Sequence, residues 1–306
     1  MAGANLPAKK YKKTSPTSLR LCFEGSGNTT RFIDVARALS VINRKFYRQG
    51  VYYYVNSVEL YNNEDAYIDL HTCPDNWVTK NSWNMGFRMF QKMNAQVDTP
   101  RPKYHDFKVK MSNLQTEANT FDPETFGING AFTSHAPDEW QFSKFTTLKS
   151  DGGDSDMFEV HVLGPHVGSE GNWTSIGLIE SYENSRPIPD GSGSPIIDDD
   201  NDTDPMLNLF DASGDHAMED IRKELDAAND LTPYDANNYI GSGNTEQMQH
   251  VARLATSVTT GRVAKASGFC APFGLICVDP QSTATGYRIV INLAAGTYHG
   301  VYAERA

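Results

Sequence analysis

Short apolar runs with strand-like alternation dominate the pattern along the chain. Residues 51–61 are dense in Val and Tyr, and residues 66–73 alternate apolar and polar positions. Because β-branched and aromatic residues favour strands, we expect these two runs to pair as a hairpin across a turn at 62–65. Runs of the same kind occur at 17–23, 105–111, 139–148, 156–163, 173–182, 268–278, 286–293 and 297–303.

Two segments show helical spacing instead. After Asp34, a candidate N-cap, apolar residues recur at every third or fourth position until Gly50, and residues 77–93 place Trp83 and Phe90 on one side. Such spacing predicts helices with one buried face. Weaker patterns predict helices at about 215–228 and 245–256.

The order of these elements favours a mainly β fold. About ten strands and two clear helices occur without the strand–helix alternation of a parallel sheet. We therefore expect an antiparallel jelly-roll or β-sandwich with inserted helices. Residues 1–16 lack apolar periodicity and are predicted to form a flexible basic arm. Residues 17–306 would form a single jelly-roll domain with a loop-rich acidic insertion at about 184–214.

The composition is ordinary for a globular chain. Apolar residues make up 39% of the 306 residues and charged residues 21%. No window approaches the roughly 18 consecutive apolar residues of a membrane helix, so we expect no membrane partner. The four cysteines are widely scattered, which predicts reduced thiols rather than a disulfide framework.

Charge is distributed unevenly along the sequence. Residues 1–110 contain 17 Lys and Arg against 9 Asp and Glu, whereas residues 111–306 contain 10 against 29. The net charge is −11, but this asymmetry allows one basic and one acidic face on the same molecule. A basic N-terminal part suits contact with a polyanion such as nucleic acid.

The candidate nucleic-acid-binding residues lie in this basic part. The arm offers lysine charges for phosphates and one ring, Tyr11, for stacking on an unpaired base. Arg37, Arg44 and Arg48 are expected to form a stripe along one flank of the first helix, with Lys45 beside it. A solubilising tail and a solvated helix face would give the same pattern. The candidate set is Lys9, Lys10, Lys12, Lys13, Arg20, Arg37, Arg44, Lys45 and Arg48.

Motifs for catalysis are absent from the sequence. It has no nucleophile elbow, phosphate-binding loop, zinc-protease motif or dinucleotide fingerprint, so we expect neither enzyme activity nor a cofactor. Asp198, Asp200 and Asp202 occupy the first ligand spacings of an EF-hand loop, but Thr203 and Phe210 replace the required Gly and bidentate Glu. These residues are candidates for a weak Ca²⁺ site, but the two departures favour the alternative of a solvated surface loop kept extended by charge repulsion.

Five blocks of sequence, which together span most of the chain, resemble a known family. They are Asn43-Arg-Lys-Phe-Tyr-Arg-Gln-Gly50, Asn76-Trp-Val-Thr-Lys-Asn-Ser-Trp83 with Phe87-Arg88, Pro233-Tyr-Asp235, Phe269-Cys-Ala-Pro-Phe-Gly-Leu-Ile276 and Leu293-Ala-Ala-Gly-Thr-Tyr-His-Gly-Val-Tyr302. The pattern is similar to that of the capsid proteins of small circular single-stranded DNA viruses that encode a replication initiator. The arm departs from that family, because it is short and only modestly basic.

This resemblance implies a jelly-roll coat subunit. Such a subunit self-assembles as a homo-oligomer into an icosahedral shell around a single-stranded DNA genome. It is assembled inside the host cell and carried in the virion, and a host receptor is a further candidate partner. A second class of function stays open: a carbohydrate- or receptor-binding β-sandwich in which Trp140, Trp173 and the acidic loop form a Ca²⁺-assisted ligand face.

Overall fold

Antiparallel β-sheets form most of the structure, a computed structural model that describes residues 16–95, 103–147, 156–169, 172–185, 233–235, 238–243, 247–281 and 286–306. The chain separates into one unit of Met1–Tyr182 with Ile240–Ala306 and a second unit of Glu183–Tyr239. Apart from residues 184–185, the predicted insertion at 184–214 and the predicted helix at 215–228 lie outside the described residues. The sheets belong to the first unit.

The elements are numbered in chain order. The strands are β1 (Arg20–Gly25), β2 (Arg31–Asp34), β3 (Val51–Asn62), β4 (Ala66–Thr72), β5 (Lys110–Ser112), β6 (Glu124–Phe126), β7 (Phe132–Ser134), β8 (Lys144–Thr147), β9 (Asp156–Leu163), β10 (Val167–Ser169), β11 (Asn172–Gly177), β12 (Gln249–Thr256), β13 (Val263–Ala271), β14 (Leu275–Pro280), β15 (Tyr287–Leu293), β16 (Ala295–Tyr298) and β17 (Ala303–Arg305). The helices are α1 (Val35–Asn43), α2 (Trp77–Ala95) and α3 (Leu178–Asn184), and a 3₁₀ turn lies at Pro272–Gly274.

Two antiparallel sheets share one apolar core. The first sheet has the order β13–β3–β15–β1, with the β6–β7 hairpin added beside β1 and β17 added beside β3. The second sheet has the order β12–β4–β14–β2. Leu60 and Ile289 of the first sheet and Ile68 and Ile276 of the second belong to the same buried cluster. The mainly β, antiparallel sandwich expected from the sequence is therefore confirmed.

The long connection between β4 and β12 adds α2 and a third, mixed sheet. In that sheet β9 pairs in parallel with β5 and β11 and antiparallel with β8, and β10 pairs with β11. The connection is bound to the second sheet at β2, where the Phe32 amide donates to the Asn119 carbonyl (2.9 Å) and the Phe121 amide donates to the Phe32 carbonyl (2.8 Å). It therefore pairs with the free edge of β2, which is the last strand of the second sheet.

The predicted hairpin of β3 and β4 is wrong. Both strands exist at nearly the expected positions, but β3 pairs with β13, β15 and β17 whereas β4 pairs with β12 and β14 in the other sheet. The turn between them therefore crosses from one sheet of the sandwich to the other. Alternation marks which side chains are buried, and a residue facing this core looks the same in either sheet.

Several other elements differ from the sequence-based expectation, and the predicted strand at 268–278 is divided into β13 and β14 by the 3₁₀ turn. The first helix ends at Asn43 instead of continuing toward Gly50. The predicted strand at 173–182 becomes a helix after Gly177, and the predicted helix at 245–256 is strand β12, which pairs with β4. When such a segment pairs with a neighbouring strand, the pairing outweighs a modest local preference for helix. The second helix is confirmed, with Trp83 and Phe90 buried as expected.

Candidate nucleic-acid interface

The basic arm joins the described structure beside the segment that follows α1. Residues 1–15, with Lys9, Lys10, Lys12 and Lys13, lie outside the described residues, so their predicted role stays a prediction. At Pro16 the backbone carbonyl accepts a hydrogen bond from Lys45 Nζ at 2.9 Å. The next residue, Thr17, donates its hydroxyl to the His299 carbonyl at 2.7 Å. The four arm lysines are thus connected to a fixed point next to Lys45.

The segment after α1 is held in place by a buried polar network. Asp34 caps the helix by accepting from the Arg37 amide (3.1 Å), as the sequence predicted, and it also accepts from the Gln49 side chain and the Trp140 indole (both 3.1 Å). Gln49 in turn bonds both backbone groups of Val109 (2.6 and 2.9 Å). Burial raises the pKa of Asp34 to about 6. The network fixes residues 44–49 against the 106–109 segment.

Arg37 is not part of an exposed stripe, and that prediction is corrected. Its side chain is directed inward and the residue is only 8% exposed. The guanidinium lies 2.7 Å from Asp122 Oδ1 and donates to the Phe121 carbonyl at 3.2 Å. A buried cation needs such partners, because leaving water without them is costly. Arg37 therefore joins α1 to the long connection between β4 and β12 and cannot reach a phosphate.

Arg44 and Arg48 also leave the predicted helix flank. Arg44 ends α1 in a left-handed conformation (φ 49°), and the residues after it run as a connection toward β3. Both arginines are exposed, and Arg48 Nε lies 3.5 Å from Asp106 Oδ2. The two residues and Lys45 therefore lie in the connection that follows α1 and not on a helix.

Arg20, at the start of β1, lies among carboxylates on the outer surface of the first sheet. Its guanidinium is 3.5 Å from Glu59 Oε2, and Lys265 Nζ lies 3.6 Å from the other oxygen of the same carboxylate. A hydrogen bond from the Tyr61 hydroxyl, with help from these cations, lowers the pKa of Glu59. The ion pair of Arg20 is with Glu59 on the surface of the first sheet, whereas Arg48 lies in the segment after α1, so we leave Arg20 out of the interface defined next.

We define the basic–aromatic patch as Arg44, Lys45, Arg48, Lys103 and Tyr104. Residues 44–48 and residues 103–104 are the two halves of the patch. They are more than 50 residues apart in sequence, and contact between Phe46 and Tyr104 brings them together. The Phe46 and Tyr104 rings are 5.9 Å apart, and Lys103 Nζ lies 5.3 Å from the centre of the Tyr104 ring. Cations around an exposed ring are the usual elements of a surface that binds single-stranded nucleic acid.

Sequence reasoning missed the second half of this patch. Lys103 and Tyr104 follow Pro102 as an isolated pair. A basic residue next to an aromatic one is the same signal that drew attention to Tyr11 in the arm. Only the fold shows that the pair lies beside residues 44–48.

Lys108 and Trp140 form the floor beneath the patch. The ammonium of Lys108 lies 4.6 Å from the Trp140 ring and 5.7 Å from the Phe46 ring. Burial lowers the pKa of Lys108, although Asp106 and Asp34 act in the opposite direction. Trp140 is itself buried and donates to Asp34. Trp140 therefore offers little exposed surface to a ligand, and the acidic loop of the predicted ligand face lies outside the described residues.

A cleft of about 330 Å³ opens next to Trp140 and has the opposite character to the patch. Its charged lining residues are Arg37, Glu117, Asp138 and Glu139. Arg37 is already bound to Asp122, which leaves the acidic side chains to set the local charge. Such a lining repels phosphate, so the cleft does not extend the nucleic-acid interface.

A buried Ser–His pair in the third sheet has a structural role. His161 Nδ1 lies 2.7 Å from Ser175 Oγ, and its Nε2 lies 3.1 Å from the Pro165 carbonyl. The carbonyl requires a proton on Nε2, so Nδ1 accepts from the serine hydroxyl. Burial lowers the pKa of His161 to about 4. The neutral imidazole thus joins β9, β11 and the loop between β9 and β10.

Among side chains that the structure describes, no group of three or more His, Cys, Asp or Glu is arranged to hold a metal ion. Asp198, Asp200 and Asp202 lie outside that part of the chain, so the weak Ca²⁺ site stays a prediction. No helix within the described ranges is both long and apolar enough to cross a bilayer.

The chain was compared with known proteins in three ways. No family model, no curated protein and no solved structure matches it.

Proposed function

We propose that this chain is the coat subunit of a single-stranded DNA virus, with a jelly-roll body that self-assembles into an icosahedral shell. The proposal combines the resemblance of the five sequence blocks with two features of the structure. One is the pairing of strands in the sandwich, and the other is the basic–aromatic patch beside the arm. Neither feature decides the function alone, because one fold serves many functions.

The nested pairing of the eight core strands is the observation that carries the proposal. Taken in chain order, β1 pairs with β15, β2 with β14, β3 with β13 and β4 with β12. A long antiparallel ribbon folded over on itself produces this arrangement, with two four-stranded sheets, and it is the pattern expected of a jelly roll. Viral coats and lectins both use that architecture.

The positive charge on the surface of the protein favours a viral coat over a lectin. The space between the sheets is filled by apolar side chains such as Phe23, Tyr53 and Ile291. Binding partners must therefore contact the outer surface of the protein. The patch carries four cations, and the arm with four more lysines begins next to Lys45. This combination suits non-specific contact with a phosphate backbone.

Self-assembly is the first expected outcome. The purified full chain should form closed particles of uniform diameter under negative-stain microscopy, with scattering mass far above that of a 33.9 kDa monomer. Raising the ionic strength or changing the pH should shift the balance between particles and subunits, because contacts between charged surfaces are screened by salt. A protein that stays strictly monomeric across pH and salt would contradict the coat assignment.

Replacing the patch cations should weaken binding to single-stranded DNA in a salt-dependent way. In the triple variant Arg44→Ala, Lys45→Ala, Arg48→Ala, the slope of log affinity against log salt should fall by about 2, since each phosphate contact contributes roughly 0.7. Fluorescence anisotropy with a labelled oligonucleotide measures this slope.

The matched control removes three positive charges from another part of the surface. Arg20, Arg262 and Lys265 are each within reach of a carboxylate, on Glu59 or Asp65. The triple alanine variant of these residues should keep the wild-type slope. Equal losses in the two triple variants would show that net charge, and not the patch, controls binding.

A further inference from the structure

Tyr104 differs from the exposed Tyr61 and Tyr302 in the charge of its surroundings. It is 57% exposed, and the ammonium of Lys103 lies 5.3 Å from the centre of its ring. By contrast, the hydroxyl of Tyr61 donates to Glu59 (2.9 Å) and that of Tyr302 donates to Glu304 (3.2 Å). A stacked base brings its own phosphate close to the ring, so a neighbouring carboxylate repels the nucleotide whereas an ammonium attracts it.

The support beneath Tyr104 orients the ring without covering it. Phe46 contacts it at a centroid distance of 5.9 Å with the planes tilted by 53°, so the two rings do not stack face to face. Phe46 is in turn packed 6.2 Å from the buried Trp140 ring. The tyrosine therefore rests on Phe46, which is itself packed against a buried ring.

We propose that Tyr104 is a stacking platform for an unpaired base and that the patch consequently prefers single-stranded DNA to duplex. Phosphates on either side of the stacked base contact Lys103 and the cations at 44–48. In a duplex the faces of the bases are covered by their neighbours, which leaves only the phosphate contacts. The inference rests on the proposed function, because it names what the nucleic-acid surface of the coat subunit selects.

The experiment compares two substitutions at Tyr104 on two ligands. Anisotropy is measured with the full chain on labelled oligothymidine of about 20 nucleotides and on a duplex of the same length. Tyr104→Ala should lose about tenfold in affinity for the single strand, as expected for one stacked base, and change duplex affinity by less than about twofold. Tyr104→Phe keeps the ring and should bind both ligands like the wild type. The salt slope should be unchanged in both variants, since no charge is removed.

A control tyrosine separates stacking at this position from a general effect of losing an aromatic residue. Tyr61→Ala removes another exposed ring beside Glu59 and should leave both affinities unchanged. Equal weakening of single-strand and duplex binding by Tyr104→Ala, or no weakening of either, overturns the stacking inference while the coat proposal stands. If the wild-type chain binds neither DNA, the nucleic-acid part of the proposed function fails, and the stacking inference fails with it.

Discussion

Replacing Arg37 with alanine is expected to lower the free energy of unfolding by about 3 kcal/mol, because it breaks a mostly buried ion pair. The substitution leaves Asp122, which lies 2.7 Å from the guanidinium, without its cation, and it removes the donor to the Phe121 carbonyl. Urea unfolding of the subunit, followed by tryptophan fluorescence, measures the change. The affinity of the folded variant for single-stranded DNA should be unaltered.

Arg44→Ala is the matched control, since it removes the same charge from the other end of α1. Arg44 is exposed, so its loss should change the free energy of unfolding by less than about 0.5 kcal/mol. Asp122→Ala in the Arg37→Ala background should recover part of the stability, because no unpaired carboxylate is left. If Arg37→Ala instead were as stable as the wild type and weakened DNA binding, the stripe predicted from the sequence would be correct.

Trp83→Ala is expected to cost about 4 kcal/mol, within the range for removing a buried tryptophan. Trp83 is 5% exposed, and its ring stacks on Phe87 (5.1 Å) and on Phe273 (5.5 Å). The ring therefore joins α2 to the 3₁₀ turn between the two sheets. The same urea experiment reports the loss.

The control for Trp83 is Trp77→Ala, the same change on the same helix at a residue that is 50% exposed. It should cost less than half as much, because less apolar surface is returned to water.

A second test uses Gly50, where an added Cβ would lie 2.3 Å from the Trp83 ring. Gly50→Ala should be destabilising in the wild type and milder in the Trp83→Ala background. Additive costs would contradict the contact.

Local features of the fold could be predicted from residues close together in sequence. Asp34 was identified as a helix cap, and the structure shows it accepting from the Arg37 amide. The apolar side of α2 was identified from Trp83 and Phe90 at helical spacing. Both features depend on contacts within one or two helical turns, so the sequence pattern contains the necessary information.

The partners of the strands and of the charges could not be predicted in this way. The Val- and Tyr-rich composition of β3 and the alternation in β4 predicted strands, but not that the two strands belong to different sheets. Arg37 and Arg44 occupy equivalent positions in the helical pattern of the sequence. In the structure Arg37 is buried and paired with Asp122, whereas Arg44 is exposed to solvent.

The amino-acid sequence by itself determined the mainly β character, the two principal helices and the concentration of basic residues before position 111. The tertiary structure alone decided the nested pairing of the strands, the burial of Arg37 and the meeting of residues 44–48 with Lys103 and Tyr104. The reason is physical: secondary structure follows from local periodicity, whereas pairing and burial follow from the competition among distant segments for one core.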